Sequence, residues 1–380
     1  MELVDLKLAA LNKMKARMPL NSEVSMLYLI EAWQHHGEEA NLDTLELSCE
    51  QVVNAIYCML ECEAFDIAKR ALALLEGGNG FEADIALIRY RLYPEETSSK
   101  VEKEKILIAT NLGELYSEDA MRRQIACLEN SERIKAEDGN IELANIAFDD
   151  EFTGREAWTE VALDRSSLEV DPNEERIPFI RDLFSKTARL AKERGYPYFA
   201  IINSDIYLTH ESLFLIRSML KERYETLGLT RTEIPEIGRM EPKDWVELHL
   251  SGTDLFAYRT DWWLENERLF EDYVMGCYWW DICYISIMGT VSRFLYLSNI
   301  KGTIFHVTHL PIARKREPLI QYNMSIRDTK DAFYWYVMNR YFDSLKGYIK
   351  TNRCLPSIEV AQGMLASTLK MTEIAKLIKH

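Results

Sequence analysis

Tyr198-Phe199-Ala200-Ile201-Ile202 is an uninterrupted apolar run that ends on the polar step Asn203-Ser204-Asp205. The run is short, β-branched and aromatic, and it does not alternate with polar residues. It therefore reads as a strand buried on both faces, which requires a sheet covered by helices on either side. Lys105-Ile106-Leu107-Ile108-Ala109-Thr110 has the same character, Ile141 to Phe148 reads as a second strand and Trp158 to Leu163 as a third. Helical stretches separate these runs. One opens near Ser117 with Glu118 and Asp119 in its first turn. A second spans Arg176 to Arg194 and stops at Gly195. A third starts at Thr209 or His210 and runs through Leu213, Ile216 and Leu220. Strand alternating with helix predicts an α/β domain with a mainly parallel sheet flanked by helices. Beyond it, His249 to Tyr258 reads as a strand broken at Gly252, Lys301 to Val307 as another, and residues 326–350 and 356–378 as helices.

The first 95 residues differ in kind and predict a small all-α domain. Cys49 to Glu76 carries Val52, Ile56, Met59, Leu60, Phe65, Ala68, Leu72 and Leu75 at helical spacing until Gly77, Gly78 and Gly80. Ser22 can cap an earlier helix through Met26, Leu29, Ile30 and Trp33. Glu63 to Leu72 resembles the second helix of a tetratricopeptide repeat, although no 34-residue period is present. Tyr93 to Lys100 has the composition of a linker. The division expected is a helical module over 1–97, for docking a protein partner or a second copy, an α/β domain over 103–345 and a helical tail over 346–380.

Among 380 residues, 47% are hydrophobic and 28% charged, which is a folded, globular composition. No apolar run approaches the ~18 residues needed to cross a bilayer. Met1 to Lys7 lacks the apolar core of a signal peptide. A cytoplasmic location, free or peripheral to a membrane, is the expectation. The seven cysteines form no Cys-x-x-Cys, so neither a disulfide framework nor an ordinary zinc site is indicated. A net charge of −16 argues against binding duplex nucleic acid. Residues 301–380 nevertheless hold 13 Lys and Arg against 6 Asp and Glu, a basic region suited to a phosphate-bearing small molecule or to a solvated surface.

In an open α/β sheet, ligands bind beyond the carboxyl ends of the strands. The first candidates are Thr110 and Asn111, Asp149 to Glu151, Asp164 and Arg165, and Asn203 to Asp205. Neither G-x-G-x-x-G nor a P-loop is present, so a bound diphosphate would need a divalent cation or basic side chains in place of a glycine cradle. Asp205 suits a cation. It follows a very apolar strand, where an unpaired carboxylate is costly. A turn cap or an ion pair would serve the same residue without a ligand.

Phe199 to Leu208 resembles the strand and D-x-D metal motif of GT-A-fold, nucleotide-sugar-dependent glycosyltransferases, with Asn203 at the first acidic position. Three further segments follow in the family's order. Ser251-Gly252-Thr253-Asp254-Leu255-Phe256-Ala257-Tyr258-Arg259 resembles the glycine-bearing strand behind the donor sugar. Gly276 to Asp281 resembles the segment near the acceptor, and Phe305-His306-Val307-Thr308-His309 the late histidine segment. The resemblance covers roughly residues 104–325. It implies a GT-A-like fold and transfer of a sugar, from a UDP-sugar first of all, to a hydroxyl on a glycan, a lipid-linked sugar or a protein.

The resemblance also implies roles. Asp205 and His306 would hold Mn²⁺ or Mg²⁺. Thr110, Asn111, Asp164, Asn203, Ser204, Gly252, Arg314 and Lys315 would contact the donor, with Arg181 and Lys186 as weaker candidates. Asp281 would accept the acceptor's proton, and Asp254 would bind sugar or acceptor. On a strand His306 and His309 would face opposite ways, so only one is expected at the metal. Asp281 also reads as a helix N-cap, and the aromatics at 258–284 and 333–341 read as core. Asn203 leaves one carboxylate where the motif usually has two. Two other readings stand beside this one. A nucleotidyltransferase would share the architecture, although Thr110 to Leu115 lacks its basic loop. A non-catalytic interaction protein could use the same scaffold.

Overall fold

The computed structural model describes residues 26–27, 29–30, 47–75, 81–100, 104–112, 117–241, 244–248, 252–297, 300–309, 316–352 and 355–378. The expected caps and stops at Ser22, Trp33, Gly77, Gly78 and Gly80 lie outside them, as do Ser251, Arg314 and Lys315. The chain forms two compact units. One is Met1–Val101 with Glu241–Lys243 and Tyr341–Lys370, and the other Glu102–Met240 with Asp244–Arg340 and Met371–His380.

The first unit is helical. Ser48 and Gln51 form a capping box that opens α1 (Cys49–Glu61). The helix expected to continue to Glu76 instead ends here. Glu63 takes a left-handed φ of 58°. Its N–H and that of Ala64 close back on the Leu60 and Met59 carbonyls, at 3.0 and 2.9 Å. This is a Schellman cap built on glutamate instead of glycine, which is why no glycine announces it. α2 (Phe65–Ala73) and α3 (Glu82–Leu92) follow. The expected linker is helix α4 (Pro94–Lys100). Pro94 occupies a first-turn position that needs no N–H, Glu95 and Glu96 sit at the positive end of the helix, and the Thr97 hydroxyl donates to the Tyr93 carbonyl at 2.7 Å. Met26, Leu29, Ile30, Val52, Ile56, Met59, Ala68, Leu72 and Ile88 make the core. The later part of α11 (Ala332–Asn352) and most of α12 (Ile358–Ile378) belong to this unit. The buried Asp84 carboxylate accepts the first N–H groups of α12, from Ile358 and Glu359, and the Tyr57 hydroxyl.

The second unit is the expected α/β domain. Its main sheet has the order β10-β6-β9-β4-β1-β2-β3. The strands are β1 (Ile106–Thr110), β2 (Ile141–Ala147), β3 (Trp158–Ala162), β4 (Tyr198–Ile202), β6 (Thr226–Leu229), β9 (Leu255–Arg259) and β10 (Phe294–Leu297). All neighbours are parallel except β9, which runs antiparallel to both β4 and β6. Every residue of β1, β2 and β4 is buried; β1 and β4 are apolar runs, whereas β2 also buries Glu142, which accepts from Thr159 and Arg194, and Asn145, which donates to Glu160. α5 (Glu118–Glu137) is capped by Ser117 and α7 (His210–Glu222) by Thr209. α6 spans Ile180–Glu193, four residues shorter at its start than expected. Proline at 178 disfavours helix in the residue before it, and Pro178 and Phe179 instead bridge to Ser166 and Val274. Phe184 of α6 sits among Phe256, Tyr258, Trp263 and Tyr284, with ring centroids 5.1–5.6 Å apart. The aromatics packed around Phe184 are therefore core, whereas Tyr278 and Tyr336 are 69% and 50% exposed.

A small second sheet, in the order β5-β11-β7-β8, adjoins the end of β4. It consists of β5 (Ile206–Tyr207), β7 (Thr232–Ile234), β8 (Glu247–Leu248) and β11 (Phe305–Val307). β11 pairs antiparallel with β5 and parallel with β7, so His306 lies abreast of both Ile206 and Glu233. The strand expected over Lys301 to Val307 shortens to its last three residues because Gly302 turns at φ 86° and donates to the Thr232 hydroxyl. α8 (Thr260–Asn266), α9 (Trp280–Val291) and α10 (Glu317–Thr329) complete the unit. Among the described residues no helix is long and apolar enough to cross a membrane.

Candidate functional site

Asp205 occupies the turn between β4 and β5, where the main sheet hands the chain to the small one. This turn brings residues about 100 positions apart into contact. His306 Nε2 lies 3.2 Å from Asp205 Oδ2, and His309 Nε2 lies 3.8 Å from the same oxygen. One ligand atom from each of the three residues lies within 4.8 Å of the other two. The strand alternation that would set the two histidines on opposite faces does not extend to His309. β11 ends at Val307, so His309 is released from strand alternation and its ring lies 4.9 Å from that of His306.

Two residues that sequence reasoning missed complete the cluster. Glu233 Oε2 lies 2.8 Å from His306 Nδ1. Arg231 donates from Nε to Glu233 Oε1 and from Nη1 to Asp254 Oδ1, both at 2.7 Å. The only sequence signal for them is the polar and β-branched alternation Thr230-Arg231-Thr232-Glu233-Ile234, too short to stand out.

The electrostatics follow from these contacts. Burial pushes the Asp205 carboxyl up, but the hydrogen bond from His306, with the His309 imidazole nearby, outweighs it and holds the group far below the usual carboxylate range. Burial likewise raises Glu233, and His306 and Arg231 overcome it to leave the group at about 2. Burial lowers His306, yet its two carboxylate partners carry it to about 9.

Asn203 and Asp254 meet next to this cluster. The antiparallel register of β4 and β9 sets them side by side: the Asn203 backbone N–H donates to the Asp254 carbonyl at 3.1 Å and its side-chain amide to Asp254 Oδ1 at 3.0 Å. Asp254 Oδ2 is buried and has no hydrogen-bond partner among the described residues. Gly252, just before, has φ 103°. Asp281 is half-buried. Burial pushes its carboxyl up to about 6, against the N–H groups of Ile282 and Thr253, and the Asp254 carboxylate raises it further. Asp281 is not the cap of α9. That position is Trp279, at φ 88°, and Asp281 is the second residue of the helix.

The remaining candidates scatter. Thr110 ends β1, one strand from β4, with a buried hydroxyl that has no partner among the described residues. The Asn111 amide is engaged by the Ile146 carbonyl at 2.7 Å. Asp164 follows β3, three strands from β4 or roughly 14 Å across the sheet, and it pairs with Lys186. Arg181 is held by Asp272. Asp150 pairs with Arg176. Ser204 lies within the Asp205 turn.

No family model matches the chain, and no curated protein matches it. Solved structures do. Residues 1–349 of S. aureus TarS, crystallised with UDP-GlcNAc, match at 9% identity over 73% of this chain and 92% of that one, with a TM-score of 0.36. A protein from Desulfovibrio desulfuricans described as a nucleotide-diphospho-sugar transferase matches at 10% identity, over 71% and 98%, with a TM-score of 0.32. A 4-diphosphocytidyl-2C-methyl-D-erythritol synthase from Anaerococcus prevotii matches at 11%, over 60% and 100%, also at 0.32. Likenesses this distant carry no argument about what this chain does.

Proposed function

We propose that this protein is a glycosyltransferase that moves a sugar from a nucleoside-diphosphate donor to a hydroxyl, assisted by a divalent cation held by Asp205, His306 and His309. The observation that carries the reading is the 3.2 Å approach of His306 to Asp205, which unites the first and last of the four segments resembling GT-A enzymes. The donor set fits a cation. One carboxylate and two imidazoles converge, and two nitrogen ligands favour a transition ion such as Mn²⁺ over Mg²⁺, which prefers oxygen. When bound, such an ion neutralises charge on the donor's diphosphate.

The chain's own residues supply the rest. Asp254 Oδ2, buried and unpartnered, can accept a hydrogen bond from a sugar hydroxyl. Asp281, with its carboxyl near 6, is mostly ionised at neutral pH and basic enough to take the acceptor's proton. Thr110, at the end of β1, would contact the nucleotide.

Calorimetry with UDP-sugars, in the presence and absence of Mn²⁺, tests the reading. Metal-dependent binding lost in Asp205→Ala is the expected result. Failure to bind any nucleotide sugar under either condition would sink it. Release of pyrophosphate from a nucleoside triphosphate and a sugar phosphate would replace it with nucleotidyl transfer.

A further inference from the structure

We infer that Glu233, braced by Arg231, is a positioning residue that fixes the imidazole of His306 with Nε2 turned toward Asp205 and available to a cation. This rests on the reading of Asp205 and His306 as cation ligands. The placement begins in the backbone. Glu233 and His306 are register partners on adjacent parallel strands, so their side chains leave the small sheet together. The carboxylate has little freedom to turn away. Oε1 accepts from Arg231 Nε at 2.7 Å, while Oε2 meets His306 Nδ1 at 2.8 Å and accepts from the Thr308 hydroxyl at 3.2 Å. Arg231 is itself anchored at its other end by Asp254. Glu233 is only 5% exposed, so water does not compete for these bonds. An imidazole that donates Nδ1–H to a carboxylate keeps its lone pair on Nε2 and becomes a stronger ligand there. Loss of such a partner typically costs 10- to 100-fold in metal affinity.

A purely structural role, in which Glu233 only neutralises Arg231, predicts a different outcome. Glu233→Gln keeps the volume and separates the two. Its amide oxygen is drawn to the Arg231 donors, which turns the NH₂ group toward His306 Nδ1. That nitrogen must then accept, the proton moves to Nε2, and the ligand position is blocked.

The test is calorimetric titration of the full chain with Zn²⁺ alone, in wild type, Glu233→Gln and Glu233→Asp, with a thermal melt of each. Zn²⁺ is diamagnetic, so the ring ¹⁵N resonances of His306 can be read in the same samples. The expected result is a 10- to 100-fold weaker affinity in Glu233→Gln, with the affinity largely restored in Glu233→Asp. Wild type loaded with Zn²⁺ should show Nδ1–H and a metal-bound Nε2. Wild-type affinity in a folded Glu233→Gln variant overturns the inference and leaves the cation reading intact. Binding through Nδ1 overturns it even if Glu233→Gln does not fold. A wild type that binds no Zn²⁺, Mn²⁺ or other transition ion overturns both.

Discussion

Arg231→Met removes a guanidinium while keeping most of the aliphatic stem, and the structure sets the size of the effect. Two carboxylates lose their shared cation. Glu233 is 5% exposed and retains His306 and Thr308. Asp254 is 4% exposed and is left with the Asn203 amide as its side-chain partner. Breaking a buried ion pair by removing one member costs about 3–5 kcal/mol. Arg231 is 23% exposed and Glu233 keeps two donors, so the lower end, about 3 kcal/mol, applies. Asp254→Asn should then partly rescue the variant, because it removes the charge that Arg231 no longer balances. Contacting residues couple by about 0.5–3 kcal/mol. Urea unfolding followed by tryptophan fluorescence reads the relevant unit, since seven of the eight tryptophans lie within it. A loss below about 1 kcal/mol, or an equal cost of Asp254→Asn in both backgrounds, would refute the reasoning.

Asp281→Asn preserves shape but cannot take a proton; sugar transfer should fall by about 10²- to 10⁴-fold with donor affinity unchanged, and an unaltered rate would remove Asp281 as the base. Phe184→Ala opens a void among the rings of Phe256, Tyr258, Trp263 and Tyr284 and should cost about 3–5 kcal/mol in the same urea experiment; under 1.5 kcal/mol would mean that the cluster repacks freely. Asn203→Asp should lose the bond to Asp254, worth about 1.5–3 kcal/mol, and add like-charge repulsion, so a variant as stable as wild type would contradict the contact. Asp84 lies at about 6 in the folded chain against 3.8 otherwise, because burial outweighs its hydrogen bonds. Its contribution is full below about pH 4 and is lost as pH rises through about 6, a change of about 3 kcal/mol. Asp84→Asn should flatten that slope between pH 4.5 and 7.5, and an unchanged slope would show that the group does not titrate there.

The parts of the fold that could be read from residue order share one physical cause. β1 and β4 are central strands buried on both faces, and burial on both faces leaves an unbroken apolar run; β2 is as buried and stays legible although Glu142 and Asn145 interrupt it. β6 and β10 are as buried but only four residues long, and β6 contains Gly228, so no run stands out. That glycine packs against the Tyr296 ring, where an added Cβ would come within 3.1 Å, so spacing rather than strand propensity selects it. The reversal of β9 leaves no mark in composition, since a strand buried on both faces has the same pattern in either direction. The break between α1 and α2 and the helix α4 were hidden for a related reason. A left-handed glutamate and a proline with two glutamates have readings that only the closed hydrogen bonds decide.

The site divides along the same line. Asp205 and His306 stood out because an acid or an imidazole at the end of an apolar strand is chemically conspicuous. Arg231 and Glu233 did not, because a charged residue in a short polar stretch looks like surface until β11 and β7 pair. Asn203 shows how far this changes the meaning of a residue. Considered alone, it is a missing carboxylate. In the register of β4 against β9 it lies directly beside one, the Asp254 carboxylate, and donates to it. A second acid at 203 would face that group across a hydrogen-bond distance. The amide avoids the repulsion and steadies the carboxylate, whose other oxygen stays buried without a partner. The charge absent from position 203 is thus found 3.0 Å from its amide, on a residue 51 positions further along the chain.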